Sequence, residues 1–207
     1  MNQKKSLGLN PCFLDLDDPY ELFKIWMTEA EKKEIRDPTS SSLATANRAG
    51  QPNVRMVLLK GLNSKGFVFY TNLNSLKSND LKENPKAAMC FHWKSFNRQI
   101  RILGSVTQVD DKEADLYFNS RSYESRISAW ASDQSKPMKE RSELLEKIED
   151  FKKKYKNEKN VPRPPHWSGW CLRPSSIEFW LHKDNRIHER LRYNRAGNDW
   201  KIEILYP

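Results

Sequence analysis

Three arginines and one histidine alternate along the segment NRIHERLRY; they are Arg186, His188, Arg190 and Arg192. In a β-strand these side chains would share one face, because successive side chains point to opposite faces. Like charges so close together repel one another unless an anionic or aromatic group lies against them. Trp180, in the preceding segment IEFW, could meet this face across a hairpin. The pattern indicates a ligand site, although a charged edge strand that resists aggregation would look the same.

The segment RMVLLK carries a cation at each end, Arg55 and Lys60. The two are five residues apart, so a regular strand would place them on opposite faces. Such a strand could serve two anionic groups at once. The alternative is a buried strand with a charge at each end where it meets water.

A phosphate cradle is indicated by the segment FYTNLNSLKSNDL. A strand would end at Tyr70, Thr71 and Asn72, and Ser75 and Lys77 would open a helix. Free N–H groups at a helix start, a hydroxyl and a lysine together suit a phosphate. The glycines of a P-loop are missing, and an ordinary capped helix is the alternative.

The segment DLYFNSRSYES offers a second set of phosphate ligands. If it is helical, Tyr117, Arg121 and Ser125 fall at i, i+4 and i+8 on one face. Phenol, guanidinium and hydroxyl are all suitable partners for a phosphate monoester. The alternative is an exposed polar face with Tyr117 half in the core.

Short strands with hairpin-length turns are predicted to position these residues. After a helix capped by Asp18 and started by Pro19, strand patterns recur in SSLATAN, VRMVLLK, FVFYTN, AAMCFHW and RQIRILGSVTQV. Helical patterns follow in DDKEADLYFNSR and KERSELLEKIEDFKKKY, and the chain finishes as a three-stranded meander. This order predicts a mainly β fold with helical additions (α+β), an antiparallel barrel.

Composition narrows the function classes. The 207 residues carry a net charge of +9, which suits nucleic acid, an anionic membrane or phosphorylated ligands. The three cysteines are odd in number and widely spaced, and the four histidines lack metal-ligand spacing, so no disulfide framework or metal site is predicted. No secretory or membrane-spanning segment is evident, so we expect a cytoplasmic protein.

Taken together, the motifs resemble the pyridoxine/pyridoxamine 5′-phosphate oxidase family. RMVLLK, FYTN…SxK, RQIRI, YFNSR, AWASDQS and IEFW…RIHERLRY occur in that family's order and spacing, from about residue 17 to the C terminus. The resemblance implies an antiparallel FMN-binding split β-barrel over 17–207, a single oxidase domain preceded by a flexible N-terminal segment, 1–16. It also implies a homodimer whose active sites lie at the subunit interface.

The resemblance implies roles for individual residues. FMN would be held by Arg55, Met56, Val57, Leu58, Lys60, Tyr70, Thr71, Lys77, Gln99, Gln134, Ser135, Trp180 and Arg190. The substrate phosphate would be bound by Lys60, Tyr117, Arg121 and Ser125. The catalytic candidates, Arg186 and His188, would flank the substrate's pyridine ring as orienting and electrostatic groups.

The implied reaction is hydride transfer from the C4′ carbon of pyridoxamine or pyridoxine 5′-phosphate to the flavin. Pyridoxal 5′-phosphate results, and O₂ reoxidises the flavin to give H₂O₂. A flavin oxidase of the same fold, of the phenazine-biosynthesis type, is one alternative, and a non-catalytic basic module that binds nucleic acid is another. The expected partners are the small-molecule substrate and a second copy of the chain, with neither nucleic acid nor membrane.

Two positions depart from the family pattern. Leu76 stands where the family usually has an arginine between the serine and lysine of the FMN phosphate loop. The N-terminal Arg-x-x-Tyr segment, which folds over the substrate in many members, has no counterpart in MNQKKSLGLNPCFLDLDD. We therefore expect one guanidinium contact to the cofactor to be lost, and substrate closure either to be looser or to involve other residues.

Overall fold

The computed structural model describes residues 7–156 and 161–207. The helices in these ranges are α1 (Pro19–Lys33), α2 (Leu76–Glu83), α3 (Asp111–Asn119), α4 (Tyr123–Ala131) and α5 (Arg141–Lys154). The strands are β1 (Ser40–Ala46), β2 (Pro52–Leu58), β3 (Gly61–Asn63), β4 (Gly66–Asn72), β5 (Lys86–Trp93), β6 (Arg98–Gln108), β7 (Trp167–Leu181), β8 (Glu189–Ala196) and β9 (Asp199–Leu205). None of these helices is both long and apolar enough to span a membrane.

The strands form one antiparallel sheet in the order β2-β1-β5-β6-β7-β4-β3, and β8 pairs with both β7 and β9. The long strand β7 organises this sheet. One of its edges pairs with β6, while the other pairs with β4 over 167–172 and with β8 over 176–181. The prediction of an antiparallel, mainly β fold with helical additions is confirmed.

The core forms where α1 packs against the sheet. Asp18 caps this helix by accepting a hydrogen bond from the Tyr20 amide at 2.9 Å. Leu22, Phe23 and Trp26 are buried on one face, and each such side chain contributes about 1.5–3 kcal/mol through burial. The sheet that carries the site residues is thereby held against a fixed helix.

The chain before α1 is partly packed against this core. Phe13 is buried, the Trp26 indole donates to the Cys12 carbonyl, and the Tyr193 hydroxyl donates to the Leu16 carbonyl. Residues 1–6 lie outside the described ranges. The division of the chain at 16/17 stays a prediction.

The predicted continuous strand over 185–193 is wrong in its first half. Asn185 and Arg186 adopt positive φ angles of 55° and 62° within a 3₁₀ turn, and β8 begins only at Glu189. Two consecutive left-handed residues cannot continue a strand. Arg186 and His188 therefore lie on the approach to β8 and not on its face.

The helix predicted through Tyr117, Arg121 and Ser125 is also interrupted. Helix α3 ends at Asn119, and α4 starts afresh at Tyr123. Ser122 causes the restart because its hydroxyl accepts the Ser125 amide as an N-cap. The side chains of Tyr117, Arg121 and Ser125 nevertheless line the same cavity.

Candidate functional site

A cleft of about 430 Å³ lies between the end of β2, strand β4 and the α3–α4 junction. It is lined by Met56, Val57, Leu58, Lys60, Tyr70, Thr71, Lys77, Tyr117, Arg121, Ser122, Ser125, Gln134 and Trp167. All four residues predicted to bind the substrate phosphate are in this set, together with eight of the thirteen predicted to hold the cofactor. Residues separated by up to 111 positions are thus brought to one cavity.

Lys77 forms a polar centre at one part of this cleft. Its side chain is buried, and its Nζ donates to Thr71 Oγ1 at 3.0 Å, Ser75 Oγ at 3.3 Å and Gln134 Oε1 at 2.9 Å. All three acceptors are neutral. Burial, with a further contribution from Arg55, lowers the pKa of Lys77 to about 8. A buried ammonium among neutral acceptors is suited to an anionic ligand.

Arg55 lies behind this centre and does not line the cleft. Its Nη1 donates to Thr45 Oγ1 at 2.6 Å and to the Leu43 carbonyl at 3.3 Å. The buried carboxylate of Asp80 accepts from Thr45 at 2.6 Å and lies 3.9 Å from Arg55 Nη2. Burial lowers the pKa of Arg55, and Asp80 opposes that effect.

Arg121 is the second cation of the cleft. Its Nη1 atom is buried and has no hydrogen-bond partner within 7–156 and 161–207. Its guanidinium carbon lies 4.8 Å from the Trp167 ring centroid and 5.7 Å from that of Phe118. Burial lowers its pKa, and the nearby Tyr117 opposes this. A buried donor without a partner fits an oxyanion such as phosphate.

An aromatic stack closes one side of the cleft. Tyr70 is parallel to Tyr117 at a centroid distance of 4.0 Å and to Trp167 at 5.3 Å. Burial raises the pKa of Tyr70 to about 12, so its phenol stays protonated at neutral pH. Sequence reasoning missed Trp167, which begins β7 after a proline-rich loop. A Cβ at Gly169 would lie 2.7 Å from the Tyr70 ring, so a glycine there leaves room for the stack.

The remaining predicted residues form a second cluster at the far end of β7. Gln99, Trp180 and Arg190 are directly opposite one another on β6, β7 and β8. The Trp180 and His188 rings are 4.7 Å apart. His182, which sequence reasoning also missed, is 5.0 Å from His188.

Hydrogen bonds restrict the groups in this second cluster. His188 Nδ1 accepts the Lys183 amide at 3.2 Å, so a neutral His188 ring carries its proton on Nε2. Arg190 donates to Glu178 at 2.9 Å and to the Tyr206 carbonyl at 2.9 Å. Arg192 is paired with Glu203 at 2.7 Å. Much of the positive charge along β8 is therefore neutralised by neighbouring strands, a fact that the alternating pattern did not reveal.

Within one subunit, the cleft and the second cluster lie near opposite ends of β7. Trp167 and Trp180 are thirteen residues apart on β7, which corresponds to about 40 Å of regular strand. Ser135, with φ of 72°, lies in a separate cavity of about 340 Å³ that adjoins Gln134. The second cluster does not contribute to the lining of the cleft described above.

Comparisons with known proteins identify the family of this chain. A family model described as pyridoxamine 5′-phosphate oxidase matches residues 27–155, and one described as the pyridoxine 5′-phosphate oxidase C-terminal dimerisation region matches 167–207. A pyridoxine/pyridoxamine 5′-phosphate oxidase of Pelagibacter ubique is 59% identical over 208 residues and covers all of both chains. One of Maricaulis maris is 49% identical, over 93% of this chain and 87% of its own.

Solved structures share the fold. PhzG from Burkholderia lata, crystallised with tetrahydrophenazine-1-carboxylic acid, has a TM-score of 0.89 at 30% identity and covers 97% of this chain and 98% of its own. An FMN-binding, pyridoxamine 5′-phosphate oxidase-related protein of Nostoc punctiforme has a TM-score of 0.73 at 18% identity, over 94% of this chain and all of its own.

Proposed function

The chain belongs to the pyridoxamine 5′-phosphate oxidase family, and from that premise we propose that it oxidises pyridoxamine or pyridoxine 5′-phosphate to pyridoxal 5′-phosphate, with FMN as its flavin. O₂ accepts the electrons and becomes H₂O₂, and the amine substrate also takes up water and releases ammonia. The observation that carries this proposal is a single cleft lined by a buried lysine, Lys77, and by an arginine with a buried, unpartnered nitrogen, Arg121.

The two cations suit two different phosphates. Lys77 is surrounded by hydroxyl and amide groups at the start of α2, where free backbone N–H groups also favour an anion. Arg121 lines the same cleft, as do Tyr117, Ser125 and Lys60. We assign the FMN phosphate to Lys77, with Arg55 contributing positive charge from behind it, and the substrate phosphate to the group around Arg121.

The phenazine-type alternative is less well supported. PhzG has the same fold at 30% identity, whereas relatives at 49% and 59% identity are named pyridoxine/pyridoxamine 5′-phosphate oxidases. The buried, unpartnered Arg121 nitrogen favours a phosphorylated substrate.

The protein's own residues bind and orient. A bound flavin supplies the two-electron acceptor for the C4′ hydride and reacts with O₂ afterwards. The residues around Arg121 fix the phosphate and thereby the position of the substrate ring. Arg186 and the Nε2–H of His188 supply positive charge and a hydrogen-bond donor toward that ring. No general base is assigned.

The protein is a homodimer, as the match to the dimerisation region at 167–207 indicates. We propose that the second cluster, around Trp180, Arg186 and His188, completes the cleft of the partner subunit. The length of β7 between the clusters supports this division.

An oxygen-uptake assay with FMN and pyridoxamine 5′-phosphate tests the proposed function directly. We expect O₂ consumption, stoichiometric pyridoxal 5′-phosphate and a yellow protein after loading. A protein that stays colourless and neither binds FMN nor oxidises pyridoxamine 5′-phosphate would contradict the proposal. Turnover of a different reduced heterocycle alone would favour the phenazine-type alternative.

Leu76→Arg should tighten FMN binding. Leu76 is the first residue of α2 and is 51% exposed, so an arginine fits there without repacking. A charge-assisted hydrogen bond to the phosphate would contribute about 1–3 kcal/mol, and solvent exposure favours the lower figure. Fluorescence titration of the apoprotein measures this, with Leu76→Gln as the uncharged control. Unchanged affinity would mean that the side chain does not reach the phosphate.

FMN affinity should fall as the pH rises above about 8. Below that pH, Lys77 is already protonated in the free protein. A bound phosphate dianion raises the pKa of Lys77 again, so binding at higher pH takes up a proton. The association constant should therefore drop by up to about tenfold per pH unit above 8. Titrations at several pH values test this, and Lys77→Gln should remove the dependence. A flat profile in the unmodified protein from pH 7 to 10 would contradict it.

A further inference from the structure

Arg121 is half-buried, with one buried guanidinium nitrogen and, among the described residues, no neutralising carboxylate. Within the described ranges, no ion pair between Arg121 and an acidic side chain is found. A partially buried guanidinium normally requires such a partner. Some other feature must hold this side chain in one orientation.

Trp167 provides the surface on which Arg121 lies. The guanidinium is 4.8 Å from the indole centroid, a distance typical of cation–π contact. The indole itself is fixed by a parallel Tyr70 ring at 5.3 Å and by the edge of Phe118 at 5.0 Å. An aromatic face attracts the cation but takes up none of its N–H donors.

The backbone of Trp167 accepts a hydrogen bond from an arginine that is itself held by two ion pairs. Arg163 donates to the Trp167 carbonyl at 2.8 Å. The same guanidinium donates to Asp115 at 2.5 Å and to Asp111 at 2.7 Å. Both aspartates belong to α3, the helix that ends just before Arg121. The position of the indole is thus coupled to the helix that carries the arginine.

We propose that Trp167 is a positioning residue for phosphate recognition: it holds Arg121 flat and leaves its charge and N–H groups available to the substrate. The inference rests on the proposed function and deepens it. A carboxylate in the same place would compete with the phosphate for those donors. An aromatic face orients the guanidinium without that competition.

The test compares Trp167→Met with Trp167→Phe. Both replacements are apolar and of similar size, but only phenylalanine keeps an aromatic face. Trp167→Met should raise KM for pyridoxamine 5′-phosphate about 2- to 30-fold with a smaller change in kcat, whereas Trp167→Phe should stay within about 3-fold. The Kd of pyridoxal 5′-phosphate, measured by calorimetry, should follow KM. KM for unphosphorylated pyridoxamine should not change.

Two controls isolate the role of the ring. Trp130→Met removes an indole that packs on Phe151 and Tyr155 and does not line the cleft, so it should leave KM unchanged. In an Arg121→Ala background, Trp167→Met should add no further rise in KM, because the contact is already lost. Two results would overturn the inference. One is an equal rise in KM for the phosphorylated and the unphosphorylated substrate in Trp167→Met. The other is a rise in KM from Trp167→Met that is as large in the Arg121→Ala background as in the wild type.

The remaining outcomes are also decisive. If Trp167→Met does not fold, Arg121→Lys is measured instead, because lysine lacks the planar group that lies on the indole. Its KM should approach that of Arg121→Ala, and a wild-type KM would overturn the inference. Wild-type enzyme that does not turn over pyridoxamine 5′-phosphate would reject the proposed function. Normal wild-type turnover with an unaffected Trp167→Met would reject only the role of Trp167.

Discussion

Arg121→Ala is expected to lower kcat/KM for pyridoxamine 5′-phosphate about 10- to 150-fold, since a charge-assisted contact is worth about 1.5–3 kcal/mol. The loss should fall mainly on KM, because the phosphate is held equally in the ground and transition states. FMN content should stay near wild type, because Lys77 and Arg55 serve the other phosphate. Steady-state kinetics and the flavin absorbance ratio measure the two effects separately.

Unphosphorylated pyridoxamine provides the internal control for Arg121→Ala, since its kcat/KM should hardly change. Arg195→Ala is a matched protein control: this arginine also lies on a tryptophan, 4.0 Å from the Trp200 centroid, but outside the cleft. If Arg121→Ala instead loses FMN while KM for pyridoxamine 5′-phosphate stays the same, the two phosphates have been assigned the wrong way round.

Mixing two inactive variants, Arg55→Ala and Arg186→Ala, should restore activity. If a site takes Arg55 from one subunit and Arg186 from the other, each mixed dimer contains one intact site and one doubly altered site. Random reassortment makes half of the dimers mixed, so about a quarter of wild-type activity should return. The assay is oxygen uptake after the variants are mixed, dissociated and reassembled.

The matched control for reassortment is the pair Arg55→Ala and Lys77→Gln. Both residues would serve the FMN phosphate from the same subunit, so no mixed dimer has an intact site and activity should stay absent. Native mass spectrometry establishes that mixed dimers have formed. Mixed dimers of Arg55→Ala and Arg186→Ala without activity would contradict the proposed division of the site.

The cleft was largely predictable because its chemistry lies in short local motifs. Lys77 directly follows the start of a helix, and the Tyr117, Arg121 and Ser125 set keeps its spacing even though the helix restarts at Ser122. The fold class was equally accessible, since strand alternation and turn residues are local signals.

The features that could not be predicted from the motifs depend on contacts between different strands and segments. Trp167 begins β7, and its ring neighbours Tyr70 and Phe118 come from distant segments. The partners of Arg190 and Arg192, Glu178 and Glu203, lie on adjacent strands and become visible only when the register is known. The positive φ angle of Arg186 could likewise not be predicted, because the turn contains no glycine.

The buried ammonium of Lys77 implies a trade-off between stability and function. Its lowered pKa means that folding disfavours the charged form, so the protein gives up stability at neutral pH to keep a cation inside. An uncharged side chain of similar length would relieve that cost and weaken phosphate binding at the same time. Substitutions selected only for heat resistance would therefore tend to accumulate at this position and lose the cofactor, as happens where catalytic groups are inherently destabilising.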